Sequence, residues 1–222
     1  MPRRARPQIR GQFVHAMNRR VDRTLLFLER GDYDRFAFIL GWAQRELDMQ
    51  ITSWCLMPNH WHLLLRPQDR QHLSRFMHRL ETTHASSFRS RTRTQGHGCV
   101  YGGRFKSFAV PSDRLLRTAV YVERNPVKAG LVSRATAWRH SSAADGQFPP
   151  DWPKVARLPG ELERLRPELL KRPLPEEFER EFESWCAVPS RALTESALED
   201  QLPVRGALEA MGRARLAMSS RM

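Results

Sequence analysis

The order in which strand-like and helical patterns alternate along the first part of the chain constrains the fold most strongly. The alternation predicts four strands, at Gln12–Met17, Ile51–Met57, His60–Arg66 and Arg104–Val110. It predicts helices over Asp32–Leu47 and Gln71–Arg89, and a third helix that opens at Pro111 and ends near Pro126. The order β-α-β-β-α-β, followed by a helix, predicts an α+β fold with a ferredoxin-like, antiparallel four-stranded sheet and helices packed on one face.

The charge divides the chain into two parts. Residues 1–146 carry 25 Lys or Arg against 11 Asp or Glu, whereas residues 147–222 are close to neutral. The join GQFPPDWP contains three prolines and a glycine, which is typical of a boundary. We therefore predict a domain over residues 1–146 and a mostly helical extension over 147–222, with amphipathic stretches at Glu161–Leu170 and Pro175–Trp185 and a helical tail ending near Met218.

The composition narrows the classes of partner. A net charge of +13 and a sequence pI near 11.0 indicate a polyanionic partner. No run approaches the roughly 18 apolar residues of a spanning helix, and no secretory segment is evident, so we expect a soluble, cytoplasmic protein without a membrane partner. The three cysteines are widely spaced, which argues against a disulfide framework and against a cysteine zinc site.

The strand that begins at His60 carries the first chemical motif, His60-Trp61-His62. Because side chains alternate across a strand, the two imidazoles face the same side, roughly 7 Å apart along the strand. Such a pair can bind one metal ion, but a short His-x-His motif can also be ordinary polar surface. Leu63, Leu64 and Leu65 continue the strand as an apolar run, which places the histidines at its polar end.

The third predicted helix carries the second motif. At about 100° per residue, Leu115, Leu116, Ala119 and Val120 form its core face. Tyr121 falls on the other side, among basic residues that suit a phosphate backbone. The basic residues are Arg114, Arg117 and Arg124, and Asn125 lies on the same side of the helix. Half-buried packing is the ordinary role of such a tyrosine.

These two motifs together suggest metal-assisted chemistry on a phosphodiester. Asn125 lies one helical turn after Tyr121 and can offer an amide oxygen as a third metal ligand, although Pro126 makes its direction uncertain. Two imidazoles and an oxygen suit a divalent ion used as a Lewis acid, either Mg²⁺ or Mn²⁺. A tyrosine beside that ion predicts nucleophilic attack and a covalent tyrosine–phosphate link.

Five segments in order carry a family resemblance. They are GQFVHAMNRR, CLMPNHWHLLLRP, GGRFKSFAV, YVERNPVKAGLV and WRHSS, and they span nearly all of residues 10–142. The chain resembles the single-tyrosine HUH transposases, and within them the REP-associated tyrosine transposases. The resemblance implies an RRM-like palm in which His60 and His62 bind the metal, Tyr121 is the nucleophile and Asn125 completes the metal site, at a position where family members often have Gln.

The resemblance also implies a substrate and a product. Family enzymes cut single-stranded DNA near short hairpins and leave a 5′-phosphotyrosine and a free 3′ hydroxyl. We therefore expect single-stranded or hairpin DNA as the partner and a location with the bacterial nucleoid. We expect a monomer, with a dimer as the alternative, and an extension that either packs on the palm or helps to hold the hairpin.

Further basic residues are candidates for phosphate contacts. Arg104 and Lys106 alternate on one predicted strand face, where they either bind the DNA backbone or form a solvated pair, and Arg19 follows the first strand. The remaining histidines show no ligand-like pairing, and we interpret them as structural or surface residues. They are His15, His72, His78, His84, His97 and His140.

Two alternatives to the DNA-cleaving enzyme remain. A catalytically silent hairpin-DNA-binding regulator needs the basic surface but not Tyr121. A metal-dependent hydrolase needs His60 and His62 but forms no covalent link, and the motifs contain few acidic residues to activate water. The intact motif with Tyr121 favours the cleaving and joining enzyme.

Overall fold

A computed structural model describes residues 11–96 and 98–187 of the chain. The predicted tail near Met218 and His97 lie outside these residues. The elements follow the predicted order. Their bounds are β1 Phe13–Arg19, α1 Arg30–Leu47, β2 Gln50–Met57, β3 His60–Arg66, α2 Arg70–Thr92, β4 Lys106–Val110, α3 Leu115–Lys128, α4 Leu162–Leu170 and α5 Glu176–Ala187. No helix in the described ranges has the length and apolar character needed to span a membrane.

The four strands form one antiparallel sheet in the order β2-β3-β1-β4. β2 and β3 form a hairpin whose two turn residues are Pro58 and Asn59, with Met57 paired to His60 across the turn. β1 lies between β3 and β4, so that Met17 is opposite both His62 and Lys106. The α+β, ferredoxin-like prediction is confirmed.

The two faces of the sheet carry different layers. On the first face, Trp61, Leu63 and Leu65 of β3 are fully buried against α1 and α2. On the second face, Leu64 packs with α3 and with residues of α4 and α5. The two helices of the ferredoxin-like unit thus share one face, as expected, and the later helices cover the other. Because side chains alternate along β3, His60 and His62 point to the second face.

The end of α3 differs from the prediction. Pro126 lies within the helix, which continues to Lys128. A proline has no N–H to donate to the carbonyl four residues earlier, here that of Val122. The Asn125 side chain offers a substitute, since its Nδ2 donates to the carbonyl oxygens of Tyr121 at 2.9 Å and Val122 at 3.4 Å. Asn125 therefore compensates for the break that Pro126 was expected to cause.

The segment before β4 has no periodic pattern in its sequence, but its end contributes to the core. Val100 and Tyr101 are buried. The Tyr101 hydroxyl lies 2.7 Å from His84 Nδ1 and accepts a hydrogen bond from Trp61 at 3.4 Å. Aromatic packing on α2 and β3 therefore orders a segment whose sequence lacks periodicity.

The chain after residue 146 packs on the palm through a buried ion pair. Arg166 of α4 binds both carboxylate oxygens of Glu123 in α3, and its Nη2 also donates to the carbonyl of Thr52 at 3.1 Å. Ser142 donates to the same Glu123 carboxylate at 2.6 Å. Of the two roles considered for the extension, packing on the palm is the one seen for α4 and α5, while the division into domains 1–146 and 147–222 stays a prediction.

Replacing Arg166 with leucine should lower the free energy of unfolding by about 3 to 5 kcal/mol, because the fully buried Glu123 carboxylate then loses its cationic partner and keeps only the hydrogen bond from Ser142. Urea denaturation of the full chain measures the loss. Arg164→Leu, at an exposed position of the same helix, is the matched control. Equal losses in the two variants would show that the buried pair is not responsible.

Candidate active site

Two histidines from β3 form the centre of the site. The His60 and His62 ring centroids lie 4.9 Å apart on the second face; His62 is buried and His60 is half-buried. In each of the two rings, the Nδ1 atom lies within hydrogen-bonding distance of another side chain. His60 Nδ1 lies 2.6 Å from Asn59 Oδ1, and His62 Nδ1 lies 2.9 Å from His15 Nε2. The predicted same-side placement of the pair is therefore present, with the Nε2 atoms as the nitrogens that could serve a metal ion.

His15 was not recognised from the sequence. It lies on β1, opposite Leu64 of β3, and its side chain faces the same layer as His62. The signal that could have revealed it is the pairing of β1 with β3, because that register brings odd-numbered residues of β1 beside the even-numbered histidines. Spacing within one strand cannot supply this information.

Burial keeps the three imidazoles neutral. It lowers the pKa of His15 to about 3. Burial, with a contribution from the nearby Arg19 cation, lowers the pKa of His60 to about 4. Burial and the neighbouring His60 hold the pKa of His62 well below its usual value. At neutral pH each ring therefore has one nitrogen lone pair, as metal binding requires.

His15, His60 and His62 form a histidine layer on the second face of the sheet. Tyr121 lies against this layer and is only 6% exposed. Its ring meets the His62 ring edge to face at a centroid distance of 6.1 Å. The Tyr121 ring also contacts Phe182 of α5, with the two ring centroids 4.4 Å apart. The sequence placed Tyr121 on an outward surface among arginines, and this is wrong because the C-terminal helices cover α3.

The same helices engage the arginines that were predicted to surround the tyrosine. Arg114 forms an ion pair with Glu181 of α5 at 2.7 Å. Arg124 donates to the carbonyl of Leu170 at 2.6 Å, and the Arg117 guanidinium lies 5.9 Å from the centroid of the Phe178 ring. In this structure these three residues contact the extension, and their role in DNA binding stays a prediction.

A lysine that the sequence did not single out lies at the end of α3. Lys128 forms ion pairs with Glu179 at 2.9 Å and Glu183 at 2.5 Å, and its Nζ lies 5.5 Å from the centroid of the Tyr121 ring. Partial burial lowers the pKa of Lys128, but the two glutamates outweigh it and raise the pKa overall. The glutamates of α5 thus form ion pairs with basic side chains of the region around Tyr121.

The other predicted phosphate contacts separate into two groups. Arg19 pairs with His60 across the sheet, and Lys106 lies in the same cross-strand row as His62, so both are on the histidine face. β4 begins at Lys106, and Arg104 is exposed before the strand. The predicted alternation of Arg104 and Lys106 on one strand face is therefore wrong, because the strand starts later than its sequence pattern suggested.

The donor set fits a divalent ion only in part. Within residues 11–96 and 98–187, no group of three His, Cys, Asp or Glu side chains is placed to hold a metal. His60 and His62 supply two neutral imidazoles. The buried Asn125 has its amide nitrogen committed to its own helix, which leaves its oxygen as the group that could bind an ion. Asn125 as a third ligand stays a prediction.

The fold and the site together define an α+β palm in which a tyrosine on one helix lies against a His-x-His strand. A family model described as "Transposase IS200 like" matches residues 9–125, just over half of the chain. The chain belongs to this IS200-like transposase family, which makes it a DNA-processing enzyme of the transposase class.

Two solved structures are similar to the chain. One is the structure of a REP-associated tyrosine transposase bound to a REP hairpin, at a TM-score of 0.50 and 23% identity, covering 72% of this chain and 96% of that one. Another is a Deinococcus radiodurans protein described as a transposase, at a TM-score of 0.40 and 17% identity, covering 55% of this chain and 97% of that one. No curated protein matches the chain. At these identities the first similarity establishes the fold.

Proposed function

We propose that the protein is a metal-dependent endonuclease and strand transferase that acts on single-stranded hairpin DNA through a covalent 5′-phosphotyrosine at Tyr121. The observation that carries this proposal is the edge-to-face placement of Tyr121 on His62, with the ring centroids 6.1 Å apart. In this placement the candidate nucleophile lies beside one of the two histidines proposed to bind the metal. Membership of a transposase family supplies the DNA substrate class.

Each group has a role in that reaction. The Tyr121 Oη attacks phosphorus, the bond from phosphorus to the 3′ oxygen breaks, and a free 3′ hydroxyl leaves. Bound at His60 and His62, a Mg²⁺ or Mn²⁺ ion supplies Lewis-acid polarisation of the phosphate.

The reverse step joins strands with the same groups. A 3′ hydroxyl attacks the phosphotyrosine, the bond from phosphorus to Tyr121 Oη breaks, and the phosphodiester is restored while the tyrosine regains a proton. Arg19 and Lys106 share the sheet face of His60 and His62, which supports a role for them in holding the DNA backbone during both steps. No external energy source is required, because each step exchanges one phosphate ester bond for another.

A hairpin substrate is supported by one comparison. The similar REP-associated tyrosine transposase is bound to a REP hairpin in its structure. The net charge of +13 suits such a polyanion. We therefore propose a REP-like hairpin with an adjoining single strand as the substrate, and a monomer as the acting form.

The covered tyrosine imposes a condition on the reaction. With 6% of Tyr121 exposed and Phe182 against its ring, a DNA strand has little access to this side chain. Binding of DNA must therefore displace α5 from α3. The silent hairpin-binding protein is the second candidate function, because a tyrosine kept under Phe182 is what a protein that only binds DNA would tolerate.

Removal of the metal tests the proposal. End-labelled hairpin DNA is incubated with the full chain in the presence of Mg²⁺, Mn²⁺ or EDTA, and with the double variant His60→Gln/His62→Gln. We expect a cut strand and a protease-sensitive protein–DNA adduct only with the wild-type protein and metal. His78→Gln, at an exposed position of α2, is the matched control and should cleave normally.

The outcomes separate the three functions. Cleavage that needs metal but leaves no adduct would establish the hydrolase. Tight hairpin binding by the wild-type protein without cleavage in either metal would favour the silent regulator. Equal cleavage in EDTA would exclude a role for the metal at His60 and His62.

A further inference from the structure

His15 occupies an unusual position for a histidine. It lies on the central strand β1, is fully buried, and has Phe108 and Phe182 as ring neighbours at centroid distances of 6.2 Å and 5.0 Å. Its Nε2 is 2.9 Å from His62 Nδ1, while the two ring centroids are 5.1 Å apart and the ring planes differ by 15°. The two imidazoles thus meet through their nitrogen edges, as a hydrogen bond between them requires.

That hydrogen bond has two possible directions, and they have opposite consequences. If His62 Nδ1–H donates to His15 Nε2, the Nε2 atom of His62 keeps its lone pair and can bind a cation. If His15 Nε2–H donates instead, a neutral His62 carries its proton on Nε2 and cannot bind a cation there. The partner of His62 therefore decides whether its outward nitrogen is a ligand.

The neighbouring His60 shows how the corresponding hydrogen bond is directed at the other histidine of the pair. Asn59 Nδ2 donates to the carbonyl oxygen of Arg23 at 3.1 Å, which orients the amide so that Oδ1 faces His60. An amide oxygen only accepts, so His60 Nδ1 must donate and His60 Nε2 keeps its lone pair. One histidine of the pair thus has its Nε2 lone pair available because a side-chain acceptor binds its Nδ1 proton.

We propose that His15 is a positioning residue that accepts the Nδ1 proton of His62 and so holds the Nε2 lone pair of His62 ready for a divalent cation. His15 then does for His62 what Asn59 does for His60. Acceptors behind ligand histidines commonly fix both the tautomer and the ring orientation. The inference rests on the proposed function, because the cation it serves is the one proposed at His60 and His62.

A purely structural histidine would behave differently. If His15 only filled space between Phe108 and Phe182, a phenylalanine would replace it at little cost and the properties of His62 would not change. A positioning role instead depends on an acceptor atom at the place of Nε2. Glutamine can present a side-chain oxygen near that place, and phenylalanine cannot.

The first measurement needs no metal. In a long-range ¹H–¹⁵N correlation spectrum of the metal-free full chain, the ring nitrogens of His62 are assigned by their loss in His62→Gln. We expect the Nδ1-protonated tautomer in the wild-type protein, and a shift toward the Nε2-protonated tautomer in His15→Phe. A wild-type His62 protonated on Nε2 would overturn the inference, whatever the protein does to DNA.

The second measurement is the affinity for Mn²⁺, determined by titration calorimetry on the full chain without DNA. We expect His15→Phe to weaken binding by about 10- to 100-fold, and His15→Gln to remain much closer to the wild-type value. His84→Phe is the control, since His84 is also buried but packs against Phe36 and Phe88 of the first face and lies 2.7 Å from the Tyr101 hydroxyl. Unchanged affinity in His15→Phe would overturn the inference.

These measurements separate the inference from the proposed function. If the wild-type protein binds no Mn²⁺, the proposed metal site fails, and the tautomer of His62 still decides the role of His15. If His15→Phe does not fold, the wild-type spectrum and His15→Gln decide it. A His15→Gln variant that binds Mn²⁺ as weakly as the phenylalanine variant would indicate a structural role and overturn the inference.

Discussion

Replacing Tyr121 with phenylalanine is expected to abolish both strand cleavage and the covalent protein–DNA product, while hairpin binding is retained. The variant loses one oxygen atom, which is the atom proposed to attack phosphorus. Removal of a covalent nucleophile lowers kcat by a factor on the order of 10⁴ or more. Phenylalanine keeps the ring contacts of Tyr121 with Phe182 and His62, so the fold should be preserved.

Tyr33 provides the matched control for that experiment. It is a buried tyrosine of α1, stacked on Phe27 and His140 in the core of the first face. Tyr33→Phe removes the same atom from a site remote from the histidine layer and should cleave at the wild-type rate. Gel assays of end-labelled hairpin DNA measure the cut strand and the adduct together. Cleavage by Tyr121→Phe at the rate of Tyr33→Phe would contradict the covalent mechanism.

The parts of the fold that the sequence predicted are those set by local patterns. The strand His60–Arg66 was predicted with its observed bounds, because the alternation of side chains and the Pro58-Asn59 turn are both local. The burial of Trp61 on one face and the placement of His60 and His62 on the other follow from the same two-residue period. Local periodicity was sufficient for these residues.

What the sequence did not predict depends on contacts between distant segments. The position of His15 beside His62 depends on the register between β1 and β3, which no single strand encodes. The continuation of α3 past Pro126 depends on a side-chain hydrogen bond from Asn125, which opposes the usual effect of proline. Both are interactions that arise only after the chain has folded.

The packing of α5 over Tyr121 could not be predicted from the sequence for a related reason. The net charge of residues 147–222 is close to zero, and this average did not indicate that the segment packs on a basic surface. Charge is unevenly distributed within them, since α5 reads EEFEREFESWCA and places five glutamates along a helix that also carries Phe178 and Phe182. A helix with acidic and aromatic side chains suits the basic, tyrosine-bearing surface of α3.

Neutralising the acidic residues of α5 that face α3 should therefore strengthen DNA binding and speed cleavage. The triple variant Glu179→Gln/Glu181→Gln/Glu183→Gln removes the ion pairs that α5 makes with Arg114 and Lys128. Each of the three partly exposed ion pairs contributes at most about 1 kcal/mol, and this free energy limits the gain in affinity. We therefore expect roughly tenfold tighter hairpin binding at low salt. The gain should shrink as salt is added, because salt screens the pairs that compete with DNA.

A second triple variant separates competition from net charge. Glu161→Gln/Glu168→Gln/Glu177→Gln changes the charge by the same amount at exposed positions of the extension, outside the ion pairs with α3. Fluorescence anisotropy of a labelled hairpin, measured over a range of salt concentrations, compares the two variants with the wild-type protein. If α5 competes with DNA for Arg114 and Lys128, only the first triple gains affinity beyond the shared effect of charge, and its cleavage rate rises with it. Equal gains in both would mean that added positive charge alone acts, and that DNA reaches Tyr121 without displacing α5.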